Sequence, residues 1–306
     1  MTDAAPLVQS ILARLRNEAR RTGRPFAELL ELFAIERFLH RLGRSEHREA
    51  LMLKGALLLR HWVGDDSRPT RDIDLVGPSG LTSEGLRRIF LDVISEPVED
   101  DGIELEPGSL VIRPIRLDSP VGGLRAKLDG TMANVRLRYQ VDVGLGDAVF
   151  PPGEEVSPGG LLGFPMSSIR AYTPYTVVAE KLESMIQLGH ANTRFKDYFD
   201  LVVLPRRMDF QGPVLLESIQ RTLDRRGTPV PPEPIDGLSP GFAEAPRNEA
   251  GWRTFVQRAR VGEAHTDLPA AVAEIRRYLD PVLEAARGRR PVPARWPAGG
   301  PWEEAP

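Results

Sequence analysis

The sequence contains no cysteine. That excludes disulfides, thiolate-ligated zinc and a thiol nucleophile, and it suits a reducing compartment. Also missing is any run near the ~20 apolar residues that a membrane span needs. The first residues, Met1-Thr2-Asp3-Ala4-Ala5-Pro6, carry no basic segment leading into an apolar stretch, so no secretory leader is expected. The cytoplasm is the expected compartment. There is no basic excess either: 40 Lys and Arg stand against 43 Asp and Glu, a formal charge of −3, so the chain as a whole has no electrostatic signature of nucleic-acid binding. His40, His47, His61, His190 and His265 show neither metal-ligand spacing nor a serine partner, which argues against histidine chemistry. No internal repeat is visible. What is present is an ordinary globular composition, 41% hydrophobic and 27% charged, over 306 residues. That length exceeds the usual single compact domain and predicts a catalytic core with a helical partner region.

The chemistry concentrates in residues 51–76. An apolar run from Leu51 reaches Lys54-Gly55, a second apolar run reaches Gly64, and a polar loop leads into Thr70-Arg71-Asp72-Ile73-Asp74-Leu75-Val76. Alternate side chains of a strand share a face, so Asp72 and Asp74 point one way while Ile73 and Leu75 point into a core. With Cα atoms about 6.7 Å apart, two such carboxylates can converge on a pair of Mg²⁺ ions. A lone Asp-x-Asp is more often a pair of solvated acids. The turn at Gly55 strengthens the functional reading, because it leaves backbone N–H groups near the start of the next helix, where phosphate oxygens are well received.

Helical periodicity predicts a first helix over 7–20 and a second from Phe26 to near Gly43, with Ser45 capping a short third; Arg37 and Arg41 read as surface residues. Ser83–Ile94 reads as a further helix. Strand-like stretches follow at 110–117, 123–128 and 134–143, with Asp129-Gly130 as the hairpin signal between the last two. In the last, Val135, Leu137, Tyr139, Val141 and Val143 alternate with Arg136, Arg138, Gln140 and Asp142, which puts Asp142 on a polar face. It reads as a strand-end acid beside Gly144 or as a third carboxylate for the site of Asp72 and Asp74. Residues 151–167 are rich in Pro and Gly and mark a boundary. Helices are then predicted from Pro174, over 195–204, over 214–226 closed by Gly227, over 248–260 and over 268–286, with an extended spacer at 228–234. The domain reading is a core over 1–150, a helical domain over 165–287 and a flexible tail over 288–306. Arginines gather toward the C-terminal half, among them Arg225 and Arg258, either as solvated helix faces or as an RNA-binding surface.

Gly55 with Asp72-x-Asp74 resembles the signature of the polymerase beta type nucleotidyltransferase superfamily. The surrounding wording resembles its AbiEii/AbiGii toxin branch: residues 33–42, Leu53-Lys54-Gly55-Ala56-Leu57-Leu58, Ala179-Glu180-Lys181-Leu182-Glu183, and 194–201 with Lys196-Asp197-Tyr198. The resemblance spans most of residues 10–285. It departs at Ala56, where a second glycine or a serine is common, so a phosphate-binding hydroxyl is lost and that contact falls to backbone.

The resemblance implies an α/β fold with a small mixed sheet flanked by helices and followed by a helical C-terminal domain. It implies nucleotidyl transfer from an NTP with pyrophosphate leaving, catalysed by Asp72, Asp74, Lys181 and Asp197. Two Mg²⁺ ions would be held by Asp72 and Asp74, with Asp142 as a third ligand or as the base on the attacking hydroxyl, and the nucleotide by Lys54, Gly55, Thr70 and Lys181. It further implies the toxin of a type IV toxin/antitoxin pair, with tRNA as the RNA acceptor and a separately encoded antitoxin as partner; from the arginine clusters, Arg225 and Arg258 are the candidates for contact with that RNA. Two rivals stand beside it. An antibiotic-modifying nucleotidyltransferase would share the Gly and Asp-x-Asp core but would favour an acidic cleft. A silent binding module would have no physical reason to keep like charges clustered near a lysine.

Overall fold

The computed structural model describes residues 4–64, 67–115, 122–157, 160–231, 235–260 and 267–304. The chain divides into two compact units, one made of Met1–Leu58, Pro69–Asp147 and Glu154–Ala171, the other of Leu59–Arg68, Ala148–Gly153 and Tyr172–Pro306. The architecture is the expected mixed sheet with helices, followed by a helical unit. The boundaries differ from 1–150 and 165–287. Residues 154–171, which overlap the stretch 151–167 read as a boundary, carry two short strands that extend the sheet, while 59–68 and 148–153 belong with the helical unit. Strands this short sit below what a Pro- and Gly-rich stretch signals in sequence. Among the described residues no helix is long and apolar enough to cross a membrane.

The first unit runs α1 (Ala4–Thr22), α2 (Phe26–Arg44), β1 (Met52–Lys54), the start of α3 (Ala56–Val63), β2 (Ile73–Gly77), α4 (Ser83–Ser95), β3 (Glu104–Leu105), β4 (Val111–Ile115), β5 (Gly123–Met132), β6 (Val135–Leu145), β7 (Glu154–Val156) and β8 (Ile169–Ala171). The sheet order is β3-β5-β6-β2-β1-β8-β7, with β4 also on β5. β2 lies parallel to β6 and antiparallel to β1. Alternation does the work foreseen for it: Ile73, Leu75, Leu137, Tyr139, Val141 and Val143 are buried on one face, where Phe38 of α2 meets Phe90 of α4 at 5.5 Å between ring centroids.

Two local expectations fail for identifiable reasons. Ser45 starts no third helix. Its N–H bonds Arg41 O and Leu42 O and its hydroxyl donates to Leu42 O at 2.8 Å, so it closes α2, and residues 46–50 are turns. Asp129-Gly130 lies inside β5, and the hairpin turns instead at Ala133-Asn134, with Ala133 at φ 50°. Gly130 is needed for closeness: a Cβ there would stand 2.9 Å from Glu104 O of the neighbouring β3. Residues 116–117 of the strand expected over 110–117, 232–234 of the spacer, and His265 lie outside the described residues.

The second unit comprises α5 (Pro174–Leu188), α6 (Phe195–Arg207), β9 (Phe210–Gln211), α7 (Gly212–Arg226), α8 (Pro240–Ala243), α9 (Pro246–Ala259), α10 (Leu268–Ala286) and β10 (Arg295–Trp296). Pro174 opens α5 at a position where its missing N–H costs nothing, and Gly227 closes α7 at φ 66°. Residues 288–304, expected as a flexible tail, are tied to this unit. β10 pairs with β9, Trp296 is 2% exposed and donates its indole N–H to Pro205 O at 2.8 Å, and Trp302 stacks on Tyr278 at 5.7 Å. Composition alone read this stretch as tail; two tryptophans with apolar and backbone partners anchor it.

Arg37 and Arg41, expected at the surface, are 1% and 6% exposed. Arg37 Nε lies 3.1 Å from Asp101 Oδ2, and Arg41 holds the same carboxylate at 2.7 and 3.1 Å. Arg37 also donates to Glu99 at 2.6 Å and to Pro165 O at 2.5 Å. Helical spacing carries no hint of Asp101, 60 residues away from Arg41. Burial pushes the Asp101 carboxyl up, but Arg41, the Ile103 N–H and Arg37 pull harder and leave it below its ordinary value. A lowered native pKa adds stability above the unfolded carboxyl pKa of about 3.9 and loses it as pH falls through the native value. Asp101→Asn is therefore expected to cost about 3–5 kcal/mol at pH 7, because two buried guanidiniums lose their anion. Its melting temperature should also change less than wild type's on acidification from pH 5 to pH 3, as followed by circular dichroism.

Candidate active site

In the first unit the polar face of the sheet carries a charged row. Register pairs Arg125 of β5 with Asp142 of β6, Asp142 with Asp74 of β2, and Asp74 with Lys54 of β1. Partners in register share a face, so the row reads cation, anion, anion, cation across four strands. One step along, Asp72 lies just before β2 and receives Gln140 Nε2 on Oδ1 at 3.0 Å. Asp72 is exposed, Asp74 is half-buried, and Asp142 is nearly covered.

Gly55 fixes this arrangement locally. It follows β1 at φ 78°, a backbone that side chains rarely adopt, and an ideal Cβ on it would stand 2.2 Å from Asp74 Oδ2. Absence of a side chain is thus what lets the Asp74 carboxylate lie against the β1–α3 turn. Gly144 serves the far end of the same row, since a Cβ there would meet Asp147 Oδ2 at 2.9 Å and Lys54 Nζ at 3.1 Å. Across it Lys54 Nζ donates to Asp147 at 2.7 Å. Thr70, expected to offer its hydroxyl to phosphate, donates it to Asp72 O at 3.3 Å.

Arg125 grips Asp142 through both carboxylate oxygens, Nε at 2.6 Å and an Nη at 2.7 Å. The Asp142 hydrogen bond, and then the charges of Asp142, Asp72 and Asp74, outweigh partial burial and raise its pKa above the ordinary guanidinium value. The oxygen-only donors Asp72 and Asp74 fit a hard divalent cation such as Mg²⁺, and the close seat of Asp74 on Gly55 keeps one donor fixed. The carboxylates of Asp72, Asp74 and Asp142 do not gather within 4.8 Å of one another. Among the described residues Glu46, His47 and Asp92 do, on the exposed surface. His47 Nε2 is 2.8 Å from Asp92 Oδ2 although 45 residues separate them, a partnership that local histidine spacing could not reveal.

The second unit carries its own cluster. Asp197 and Asp200 are three apart on α6 and so face the same way, toward Lys181 of α5. Lys181 Nζ lies 2.8 Å from Asp197 Oδ1 and 2.6 Å from Asp200 Oδ2. Arg68 holds both Asp200 oxygens at 2.9 and 3.0 Å, and Arg194 Nε lies 3.0 Å from Asp197 Oδ2. Burial works against the Lys181 ammonium, but Asp197 and Asp200 outweigh it and raise its pKa. Burial likewise pushes Asp197 up, and Lys181 with Arg194 pulls it below the usual carboxylate range. Lys196 goes the other way: burial and the nearby Arg68, Arg194 and Lys181 overcome Asp197 and lower it.

Each unit therefore brings its expected residues together: Asp72, Asp74, Asp142, Lys54, Gly55 and Thr70 in the first, Lys181 and Asp197 in the second. Arg225 and Arg258 are exposed, at the end of α7 and on α9. Sequence reasoning missed Arg125, Gln140, Arg68 and Asp200 as members of these clusters. Three of them had a usable signal: Arg125 lies with Lys127 and Asp129 on the polar side of an alternating strand, Gln140 lies on the polar side of the strand that carries Asp142, and Asp200 is three residues after Asp197 on a helix; Arg68 had none.

Among curated proteins none matches the chain's sequence. Among solved structures, JHP933 from Helicobacter pylori is 15% identical, with 86% of this chain and 94% of that chain covered at a TM-score of 0.50, which speaks to a shared fold. MenT4, a nucleotidyltransferase toxin from Mycobacterium tuberculosis, is 18% identical, with 91% of this chain and 99% of that chain covered at a TM-score of 0.49. The family described as "Nucleotidyl transferase AbiEii toxin, Type IV TA system" matches residues 37–280, which takes in both charged clusters. The chain belongs to the AbiEii nucleotidyltransferase toxin family.

Proposed function

We propose that this nucleotidyltransferase moves a nucleotide from an NTP to an RNA acceptor, tRNA first among the candidates, using a divalent cation held by Asp72 and Asp74. The observation that carries the reading is the seating of Asp74 against Gly55 beside Asp72 and Asp142 on one sheet face. When bound there, such a cation screens the triphosphate and favours ionisation of the attacking oxygen. The chain's own groups do the rest. Asp72 and Asp74 orient the cation, and the bend at Gly55 offers backbone N–H groups at the start of α3 to phosphate oxygens. Lys181, kept charged by Asp197 and Asp200, is the point donor to the triphosphate, with two of its three N–H directions already fixed by those acids. Asp197 orients that lysine. As a member of a type IV toxin family the chain has an antitoxin as its expected partner, and Arg225 and Arg258 are our candidates for contact with the RNA backbone.

Asp72→Asn and Asp74→Asn are each expected to abolish transfer of label from α-labelled NTP to RNA while far-UV circular dichroism stays native, because an amide cannot replace a carboxylate on a hard cation. EDTA should silence the wild type. Full activity in either variant or in EDTA contradicts the reading.

Lys181→Ala should weaken use of NTP, and Asp197→Ala should slow transfer. The double variant should lose far less than the sum of the two, as residues acting as a unit do. Lys181→Arg should not rescue, since a planar fork does not fit a point-donor position. Near-normal turnover in both alanine variants would make the pair structural.

Binding of RNA should weaken steeply with salt, by roughly one power of salt concentration per phosphate neutralised. Arg225→Gln or Arg258→Gln should each flatten the slope of log Kd against log salt by about one. A salt-independent affinity removes these arginines from the reading.

A further inference from the structure

The pairing of Arg125 with Asp142 does little for the fold by itself. Its side chains are 37% and 12% exposed, and pairs that open to water contribute between nothing and about 1 kcal/mol. Its placement has a larger effect. Arg125 sits on the polar face at one end of a row whose next two members are Asp142 and Asp74, and its fork spans both oxygens of Asp142. We propose that Arg125 is the standing counter-cation of this face: it occupies Asp142, so that Asp142 acts as the arginine's anchor and not as a metal ligand, and a divalent cation reaching Asp72 and Asp74 binds against its charge. The inference rests on the reading of Asp72 and Asp74 as cation ligands.

Three observations support it. Both Asp142 oxygens already accept short charge-assisted hydrogen bonds. The carboxylates of Asp72, Asp74 and Asp142 do not close to within 4.8 Å, as a pre-formed three-acid cage would. The guanidinium also stands in the cross-strand row that holds Asp74, on the face where Gln140 meets Asp72. One consequence is that a cation alone binds weakly here, and that the negative charge of a triphosphate arriving with it offsets what the arginine opposes.

The test is Mn²⁺ binding to the full chain, read from the electron paramagnetic resonance of the free ion, with no nucleotide and no turnover. Asp72→Asn supplies the baseline for binding elsewhere, including the Glu46, His47 and Asp92 group. Arg125→Gln is expected to bind Mn²⁺ on the order of tenfold more tightly than wild type, because one unit of opposing charge is gone. Arg125→Lys, which keeps that charge, should stay within about twofold of wild type. Unchanged or weaker binding by Arg125→Gln overturns the inference, and leaves the catalytic reading standing if wild type binds above the baseline. Wild type and Arg125→Gln both at the baseline overturn the two together. Should Arg125→Gln not fold, the charge-neutral double variant Arg125→Gln, Asp142→Asn takes its place. It should bind within about threefold of wild type, since a neutral pair leaves together. A fall to the Asp72→Asn baseline would make Asp142 a direct ligand and overturn the inference.

Discussion

Carboxylates on one face of a sheet repel one another, and the first unit is built around the means of tolerating that repulsion. Asp74 and Asp142 stand side by side on parallel strands, with Arg125 beyond one and Lys54 beyond the other. Gln140 bonds Asp72 at the strand's start. Gly55 and Gly144 are glycines because the charged groups of the row occupy the space a Cβ would need. Remove the need to hold acids together and none of these choices has a reason; the buried face would be served as well by any alternating strand.

The second unit solves the opposite problem. Lys181, Arg68 and Arg194 surround Asp197 and Asp200, and Lys196 adds a further cation whose charge is already disfavoured. A buried lysine with two carboxylates stays charged, whereas a buried lysine with none gives up its proton. The acids are thus what make Lys181 usable as a positive donor at neutral pH. One unit thus gathers acids on a sheet face, and the other gathers cations around two buried acids.

Much of this was legible from residue order, and the limit falls where partners are distant in sequence. The Gly55 turn, the inward Ile73 and Leu75, and the bounds of the helix over 268–286 follow from periods of 2 and 3.6, which need only near neighbours. Arg37 and Arg41 were misplaced because their burial depends on Asp101, which no periodicity connects to them. Asp129-Gly130 has the chemistry of a turn, yet Gly130 answers to the approach of β3. The C-terminal stretch looked loose by composition, and Trp296 with Trp302 tethers it through contacts that composition cannot encode. The same holds in the candidate site: Asp72, Asp74 and Lys181 were found, whereas Arg125 and Arg68 were identified only once folding had brought them to Asp142 and Asp200.

The proposed transfer of a nucleotide to RNA is checked by incubating the chain with each α-labelled NTP in turn, Mg²⁺, and total tRNA and an aminoglycoside present together. The expected result is label on the RNA from one or more of the NTPs, with pyrophosphate released in equal amount. Label on the aminoglycoside with none on the RNA, or no transfer to either acceptor from any NTP, would contradict it.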